Sequence, residues 1–237
     1  MSYVERTERW TGSRGDLIVQ VVADEEARNP YREYDQTSEV FGKHRSLDID
    51  EPPSEHLRIL ERVGLRGLVR YMRLFGDPRD GSKLLAIRQL GMYEHSGITI
   101  WTEEIESRRA YAFDPGGWDT SHIGYVMISK GRWDKVNGGD PDEIVEDEAS
   151  PAPGIRKLPV KTTRAYAVLE AEIDEWDDCL RGNVWGYVIT KPCTDPHHAD
   201  DDDETIVDCP HSETIDSCWG FIGDPDYCFS EAKEVAA

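Results

Sequence analysis

KLLAIRQLGMYEHSGITIWTE, residues 83–103, is the stretch that decides the fold of this chain. Two apolar runs, 83–93 and 98–103, flank the four residues Glu94-His95-Ser96-Gly97. A glycine at this position suits the turn of a β-hairpin. The stretch therefore predicts two antiparallel strands joined by a tight connection.

Outward from this hairpin, strands and amphipathic helices follow one another along the chain. Further strands are predicted over 16–24, 122–130, 184–191 and 214–222, from short apolar runs with β-branched residues. Helices are predicted over 55–75, 162–180 and 226–237. This order predicts an α+β fold, with a mainly antiparallel sheet and amphipathic helices packed on one of its faces.

The helix predicted over 55–75 has clear boundaries. Ser54 follows two prolines and can cap the first turn, and Gly76 follows the last turn. Helical periodicity places six residues on one narrow, mostly apolar face, which we expect to be buried. They are Leu57, Leu60, Gly64, Leu68, Tyr71 and Phe75.

An arginine stripe lies on the same helix, away from that face. Arg58, Arg62, Arg66 and Arg70 follow one another at i+4 spacing, and Arg73 falls within the same arc. Guanidinium groups offer a planar fork of donors that suits phosphates and carboxylates. The stripe therefore predicts a binding surface. The alternative is a solvated face, or pairing with the chain's own acidic residues, which contributes little to stability.

The charge of the chain is unevenly distributed. The 237 residues include 48 acidic and 27 basic side chains, a formal net charge of −21. Residues 1–79 hold 15 acidic and 13 basic side chains, so nearly all of the excess lies after residue 79. This balance argues against a protein that coats nucleic acid generally, and it favours a partner with a basic surface.

The same composition predicts one domain over 1–237, with acidic loop insertions near 137–159 and 192–211. No apolar run approaches the roughly 18 residues of a membrane span, and no secretory signal is visible. Five cysteines at wide spacings do not suggest a disulfide framework. We therefore expect a cytoplasmic protein without membrane contact.

The insertion near 192–211 contains the residues of a weak zinc hypothesis. Cys193, His197, Cys209 and His211 could provide four ligands in two short-spaced pairs. Neither pair has the spacing of a common zinc motif, and the aspartates between them prefer harder cations. The alternatives are an acidic loop without metal and a chain without any cofactor.

Polar residues near the hairpin form the only catalytic hypothesis. His95 lies at the hairpin tip and Asp119 in a loop before a strand, so the two could act as a base and its orienting carboxylate. Trp118 is in a loop context that suits a binding surface. No known catalytic motif fixes the distance between these residues, and a site without catalysis is the alternative.

Four strings resemble, in this order, those of an uncharacterised family of accessory proteins encoded by phages and prophages. They are ARNPYREYDQ (27–36), MYEHSGITI (92–100), GGWDTSHIGYV (116–126) and DSCWGF (216–221). The resemblance covers roughly residues 17–230. It implies a setting, the cytoplasm of a phage-infected or prophage-carrying bacterium, and no reaction.

Three functions follow from these patterns, and an enzyme is the less favoured class. The leading one is a phage or mobile-element protein that binds a basic host protein through its acidic surface, in an anti-defence or nucleic-acid-mimic role. The second is a small-ligand binder or enzyme at the sheet edge, and the third binds phosphate or nucleic acid through the arginine stripe. The sequence leaves the oligomeric state open.

Overall fold

The computed structural model describes residues 3–12, 15–105, 114–148, 159–192 and 212–237. The chain divides into two compact units, where the sequence predicts one domain. The first unit combines Met1–Arg28 with Arg181–Ala237, and the second is Asn29–Leu180. Each has an antiparallel sheet, at least one helix and its own hydrophobic core, which confirms the α+β class.

The first unit is a four-stranded antiparallel sheet with one helix packed on it. Its strands lie in the order β1-β2-β9-β10. Their bounds are β1 Val4–Gly12, β2 Gly15–Ala23, β9 Val184–Thr190 and β10 Thr214–Ile222, and helix α5 is Pro225–Ala236. Val19 and Val21 of β2 pack with Phe229 of α5 in the core of this unit.

The second unit contains the predicted hairpin in a sheet of order β3-β6-β4-β5. Its strands are β3 Glu39–Gly42, β4 Leu84–Glu94, β5 Ile98–Glu103, β6 Thr120–Ser129, β7 Ile144–Glu148 and β8 Pro159–Thr163. Its helices are α1 Pro30–Glu33, α2 Ser54–Phe75, α3 Lys130–Val136 and α4 Arg164–Arg181. Met92 of β4 lies opposite Ile100 of β5, so the hairpin prediction is confirmed.

Helices cover both faces of this second sheet, which corrects the expected packing on one face. Val126 of β6 belongs to the cluster that contains Leu169 of α4. Its neighbour Tyr125 belongs to the cluster that contains Leu68 and Met72 of α2. Successive side chains of a strand point to opposite faces, so α2 and α4 lie on opposite sides of the sheet.

The sequence predicted a loop over residues 137–159, but the described part of this segment also contains a strand. It contains β7, which pairs with β8 in an antiparallel ladder that places Val145 opposite Thr162. The acidic composition of the segment predicted a loop, although β7 begins with two apolar residues, Ile144 and Val145. Residues 149–158 and the insertion at 193–211 lie outside the described residues.

Within the described ranges, no helix combines the length and the apolar character needed to span a bilayer.

Candidate functional site

Helix α2 is interrupted at Gly64, and this interruption determines which of its side chains are exposed. Gly64 has φ 68° and ψ −176°, a conformation outside the helical region that glycine adopts without a steric penalty. The helical phase therefore changes at this residue. Beyond it, the side chains of Leu68, Val69 and Met72 are buried, whereas Phe75 is 67% exposed.

The expected apolar face is only partly confirmed, because Leu68 is buried and Leu57 is 37% exposed. Tyr71 and Phe75 were predicted to be buried, but both are exposed and their ring centroids are 5.1 Å apart. Val63 and Leu74, which the periodicity placed elsewhere, are 60% and 65% exposed. A group of apolar side chains consequently faces solvent on this helix.

All members of the predicted arginine stripe are exposed, but the stripe is not continuous. Arg58 and Arg62 precede the interruption at Gly64. Arg66, Arg70 and Arg73 follow it and together line a surface cavity of about 440 Å³. Because the phase changes between the two groups, only the later three arginines share a surface.

Three of the arginines of α2 have no ion-pair partner among the described residues. Arg62, Arg70 and Arg73 make no ion pair or hydrogen bond with any residue that the structure describes. Within the described part of the chain, these three side chains therefore have no acidic partner, and their positive charge is not neutralised there.

The acidic run that follows residue 139 is, in contrast, partly neutralised within the chain. Its carboxylates pair with basic side chains in three places. The pairs are Asp142 with Lys83 at 3.1 Å, Glu143 with Arg164 at 3.0 Å and Glu146 with Lys161 at 3.8 Å. The second acidic run, 200–204, lies outside the described residues.

A second cavity of about 480 Å³ adjoins the first along the same helix. It shares Arg66, Arg70 and Leu74 with the first cavity and adds exposed apolar side chains. We define the outer face of α2 as the surface formed by Val63, Arg66, Arg70, Tyr71, Arg73, Leu74 and Phe75. This surface combines arginine and tyrosine, two residue types enriched in protein-binding hot spots, with phenylalanine and aliphatic side chains.

The structure brings His95 and Asp119 together, as the catalytic hypothesis required. His95 Nδ1 lies 3.1 Å from Asp119 Oδ2, and the backbone N–H of Glu94 donates to the Asp119 carbonyl. Both side chains are more than a third exposed to solvent. An exposed pair outside the two cavities of α2 offers no water-excluded site, so the geometry provides proximity without the burial that tunes a catalytic base.

Trp118 is next to this pair and is 90% exposed. The loop that carries it is ordered by Asp114, whose carboxylate accepts hydrogen bonds from the backbone N–H groups of Trp118 and Asp119. The Thr120 hydroxyl donates to the same carboxylate at 2.7 Å. Hydrogen bonds from Thr120 and then from the backbone lower the pKa of Asp114. Trp118 is thus presented to solvent on a well-supported loop.

None of the four predicted zinc ligands can be placed, because Cys193, His197, Cys209 and His211 lie outside the described residues. In the part of the chain that is described, no three metal-binding side chains lie close enough to hold an ion. The zinc hypothesis therefore stays a prediction.

Sequence reasoning missed a buried polar network beneath α2. His56 is fully buried, with Nδ1 2.7 Å from the Tyr125 hydroxyl and Nε2 3.1 Å from Asp77 Oδ1. Arg79 donates to both Asp77 and Glu39. Burial would raise the pKa of Asp77, but hydrogen bonds from His56 and Arg79 outweigh it and hold that pKa well below its usual range. The network ties the first turn of α2 to the sheet.

Two cysteines have opposite environments. Cys218 is exposed, and Cys228 is buried in the core of the first unit. Burial raises the pKa of Cys228 to about 12, so its thiol is unreactive at neutral pH.

Comparisons with known proteins leave the function to be argued from these surfaces. No family model, no curated protein and no solved structure matches this chain. The resemblance to phage accessory proteins is therefore still a prediction. Of the candidate residues, the structure groups Arg66, Arg70 and Arg73 on one face, and His95 with Asp119 and Trp118 at another place.

Proposed function

We propose that this protein is a binding protein whose partner is an acidic protein segment with apolar side chains, and that the outer face of α2 is the binding surface. One observation supports this most strongly. Arg70 and Arg73 have no acidic partner among the described residues, in a chain with 48 acidic side chains, and they lie beside exposed Tyr71, Leu74 and Phe75.

The physical chemistry of this face favours a protein over nucleic acid. A net charge of −21 repels a polyanion at long range, and phosphate contacts dominate the affinity of proteins for nucleic acid. Aliphatic Val63 and Leu74 cannot stack on bases, but they can fill apolar contacts with a protein segment. Burying apolar area also stabilises a complex at salt concentrations that screen ion pairs.

This proposal agrees with the prediction of an interaction protein. It differs in the partner, which would be acidic rather than basic. The basic host protein expected from the composition would need a free acidic surface. The described acidic run is partly paired with the chain's own lysines and arginines, whereas Arg70 and Arg73 have no such pairing among the described residues. A phage setting is compatible with the proposal and is a separate prediction.

A peptide-display selection on the full chain tests the chemistry of the partner. From a library of random peptides of about 16 residues, we expect enriched sequences to combine aspartate and glutamate with leucine, phenylalanine or tryptophan. The carboxylates would pair with the arginines, and the apolar side chains would occupy the two cavities of α2. The measurement is the composition of the enriched pool.

Two other results are informative in this selection. Enrichment of lysine- and arginine-rich peptides would support binding through the acidic surface and contradict the proposal. A pool without enrichment would contradict it as well. Single-stranded oligonucleotide is included as a competitor, and displacement of the selected peptides by oligonucleotide at physiological salt would favour the nucleic-acid alternative.

A further inference from the structure

The outer face of α2 is built from rows of side chains at i+4 spacing. One row lines both of its cavities and consists of Arg66, Arg70 and Leu74. A neighbouring row lines only the second cavity and consists of Gly67, Tyr71 and Phe75. Rows at this spacing form the ridges and grooves through which two helices pack against each other. The face therefore has the relief of a helix–helix contact surface.

The main chain of α2 offers a bound segment almost no hydrogen bonds. In a helix each N–H donates to the carbonyl four residues earlier, so only the first N–H groups and the last carbonyls are unpaired. Beyond Gly64, every residue to Phe75 has helical dihedrals, and the N–H of Gly76 then donates to the carbonyl of Met72. A segment that lies along the face between these ends therefore contacts side chains only.

This property of α2 favours one conformation of the bound segment. A segment that covers Tyr71, Leu74 and Phe75 excludes water from part of its own main chain, and buried N–H and C=O groups need partners. An extended segment finds such partners at the edge of a sheet, which α2 does not provide. A helical segment pairs its main chain internally and needs none from α2.

The charges on the face can also be matched by a helix. Residues three or four apart on a helix have Cβ atoms about 5 to 6 Å apart, and this separation applies to Arg70 and Arg73. Carboxylates at i and i+3, or at i and i+4, of a bound helix have the same separation, so two of them can pair with both arginines at once. Neither arginine has an ion-pair partner among the described residues.

We propose that the partner segment binds the outer face of α2 as an amphipathic helix of about three turns. Its apolar stripe, at i, i+4 and i+7, would pack against Tyr71, Leu74 and Phe75, with carboxylates beside the stripe. The face from Arg66 to Phe75 spans about 14 Å, and three turns of a helix span about 16 Å. This inference rests on the proposed function and adds the conformation of the bound segment.

The test places proline in a synthetic peptide of about 16 residues, with leucines at i, i+4 and i+7, glutamates beside them and alanines elsewhere. One variant has proline at the centre, on the side away from the leucines, and the other has proline at the first helical position. Fluorescence anisotropy measures binding to the full chain. Central proline should weaken binding at least about 20-fold because it breaks a helix, whereas proline at the first position should change it by about threefold or less.

A matched pair of protein variants locates the bound helix on α2. Leu74 is 65% exposed within the outer face, and Leu57 is 37% exposed before the interruption at Gly64. Leu74→Ala should weaken binding of the parent peptide by about fivefold or more, and Leu57→Ala by about twofold or less. Circular dichroism should also show more helix in the mixture than in the separate peptide and protein.

Failure of this inference differs from failure of the proposed function. If the parent peptide does not bind at about 1 mM, both are contradicted. If the parent peptide binds and the two proline variants bind equally well, the helical conformation is overturned and the proposed function stands. Equal effects of Leu74→Ala and Leu57→Ala would overturn the position of the helix on the outer face.

Discussion

Asp77→Asn is expected to destabilise the protein by about 3 to 5 kcal/mol in urea unfolding at pH 7. Asp77 is 1% exposed and receives hydrogen bonds from His56 and from Arg79. The asparagine would keep the volume but remove the buried negative charge that faces His56 and the partly exposed Arg79 guanidinium. Removing one partner of a buried charged group is among the costliest single changes in a folded protein.

The same network predicts the pH dependence of stability. The pKa of Asp77 in the folded protein is well below its usual range, so its contribution is fully present above the unfolded pKa of about 4. The contribution is then lost as the pH falls toward the folded pKa. The unfolding free energy of the wild type should decline below about pH 4, and that of Asp77→Asn should decline less.

Asp80→Asn is the matched control, because Asp80 is an exposed aspartate in the same loop that accepts one backbone hydrogen bond, from Ser82. It should cost about 1 kcal/mol or less. Equal costs for the two variants would contradict a special role for the buried network.

Glu172→Ala should have the second large effect, a loss of about 3 to 5 kcal/mol of unfolding free energy. The Glu172 carboxylate is buried on α4 and accepts from the backbone N–H groups of Thr37 and Ser38, at 2.6 Å and 2.7 Å. Alanine would leave both buried N–H groups without a partner and open a cavity. Each unsatisfied donor costs about 1 to 3 kcal/mol.

Glu172→Gln provides the control for this prediction, because the amide oxygen can still accept one of the two bonds. It should cost markedly less than the alanine variant. Urea unfolding followed by tryptophan fluorescence measures both, since Trp176 is buried one helical turn away. An alanine variant within about 1 kcal/mol of the wild type would contradict the assigned role of Glu172.

Local signals predicted much of the fold. The hairpin of β4 and β5 follows from two apolar runs around Gly97, and α4 follows from the spacing of Leu169, Ile173 and Trp176. Each signal lies within a few residues, where periodicity and turn chemistry are informative. Pairing between strands that are distant in the sequence has no such local signal. The sequence therefore did not predict that β1 and β2 share one sheet with β9 and β10.

Other elements were missed for a physical reason. β1 and β7 are polar, and they become strands because a partner strand supplies their hydrogen bonds rather than because of an apolar pattern. α1 has four residues, α3 has seven and β3 has four, so each is too short for a periodic pattern to repeat clearly. Helices on both faces follow from continuous apolar runs such as that of β6, a pattern the sequence analysis did not use.

The candidate binding site was predictable in part. Spacing identified the arginines of α2 but extended their stripe through Gly64, where the backbone leaves the helical region. A glycine inside a helical pattern is tolerated, so its effect on phase was not visible. The pairing of His56 with Asp77 depends on tertiary packing across 21 residues, and no spacing rule predicts it.

The affinity of an acidic, apolar peptide for two double variants tests the central claim most directly. Arg70→Glu/Arg73→Glu changes the outer face of α2, whereas Arg58→Glu/Arg62→Glu changes exposed arginines before the interruption at Gly64. Both alter the net charge equally, so long-range attraction or repulsion changes by a similar amount.

We predict that Arg70→Glu/Arg73→Glu weakens binding of a selected peptide on the order of 100-fold, because two direct ion pairs become repulsive. Arg58→Glu/Arg62→Glu should change the affinity by about threefold or less, as expected for charges outside the contact. Circular dichroism and thermal unfolding establish that both variants fold. Equal losses for the two variants, or no loss for Arg70→Glu/Arg73→Glu, would contradict the assignment of the outer face of α2 as the binding surface.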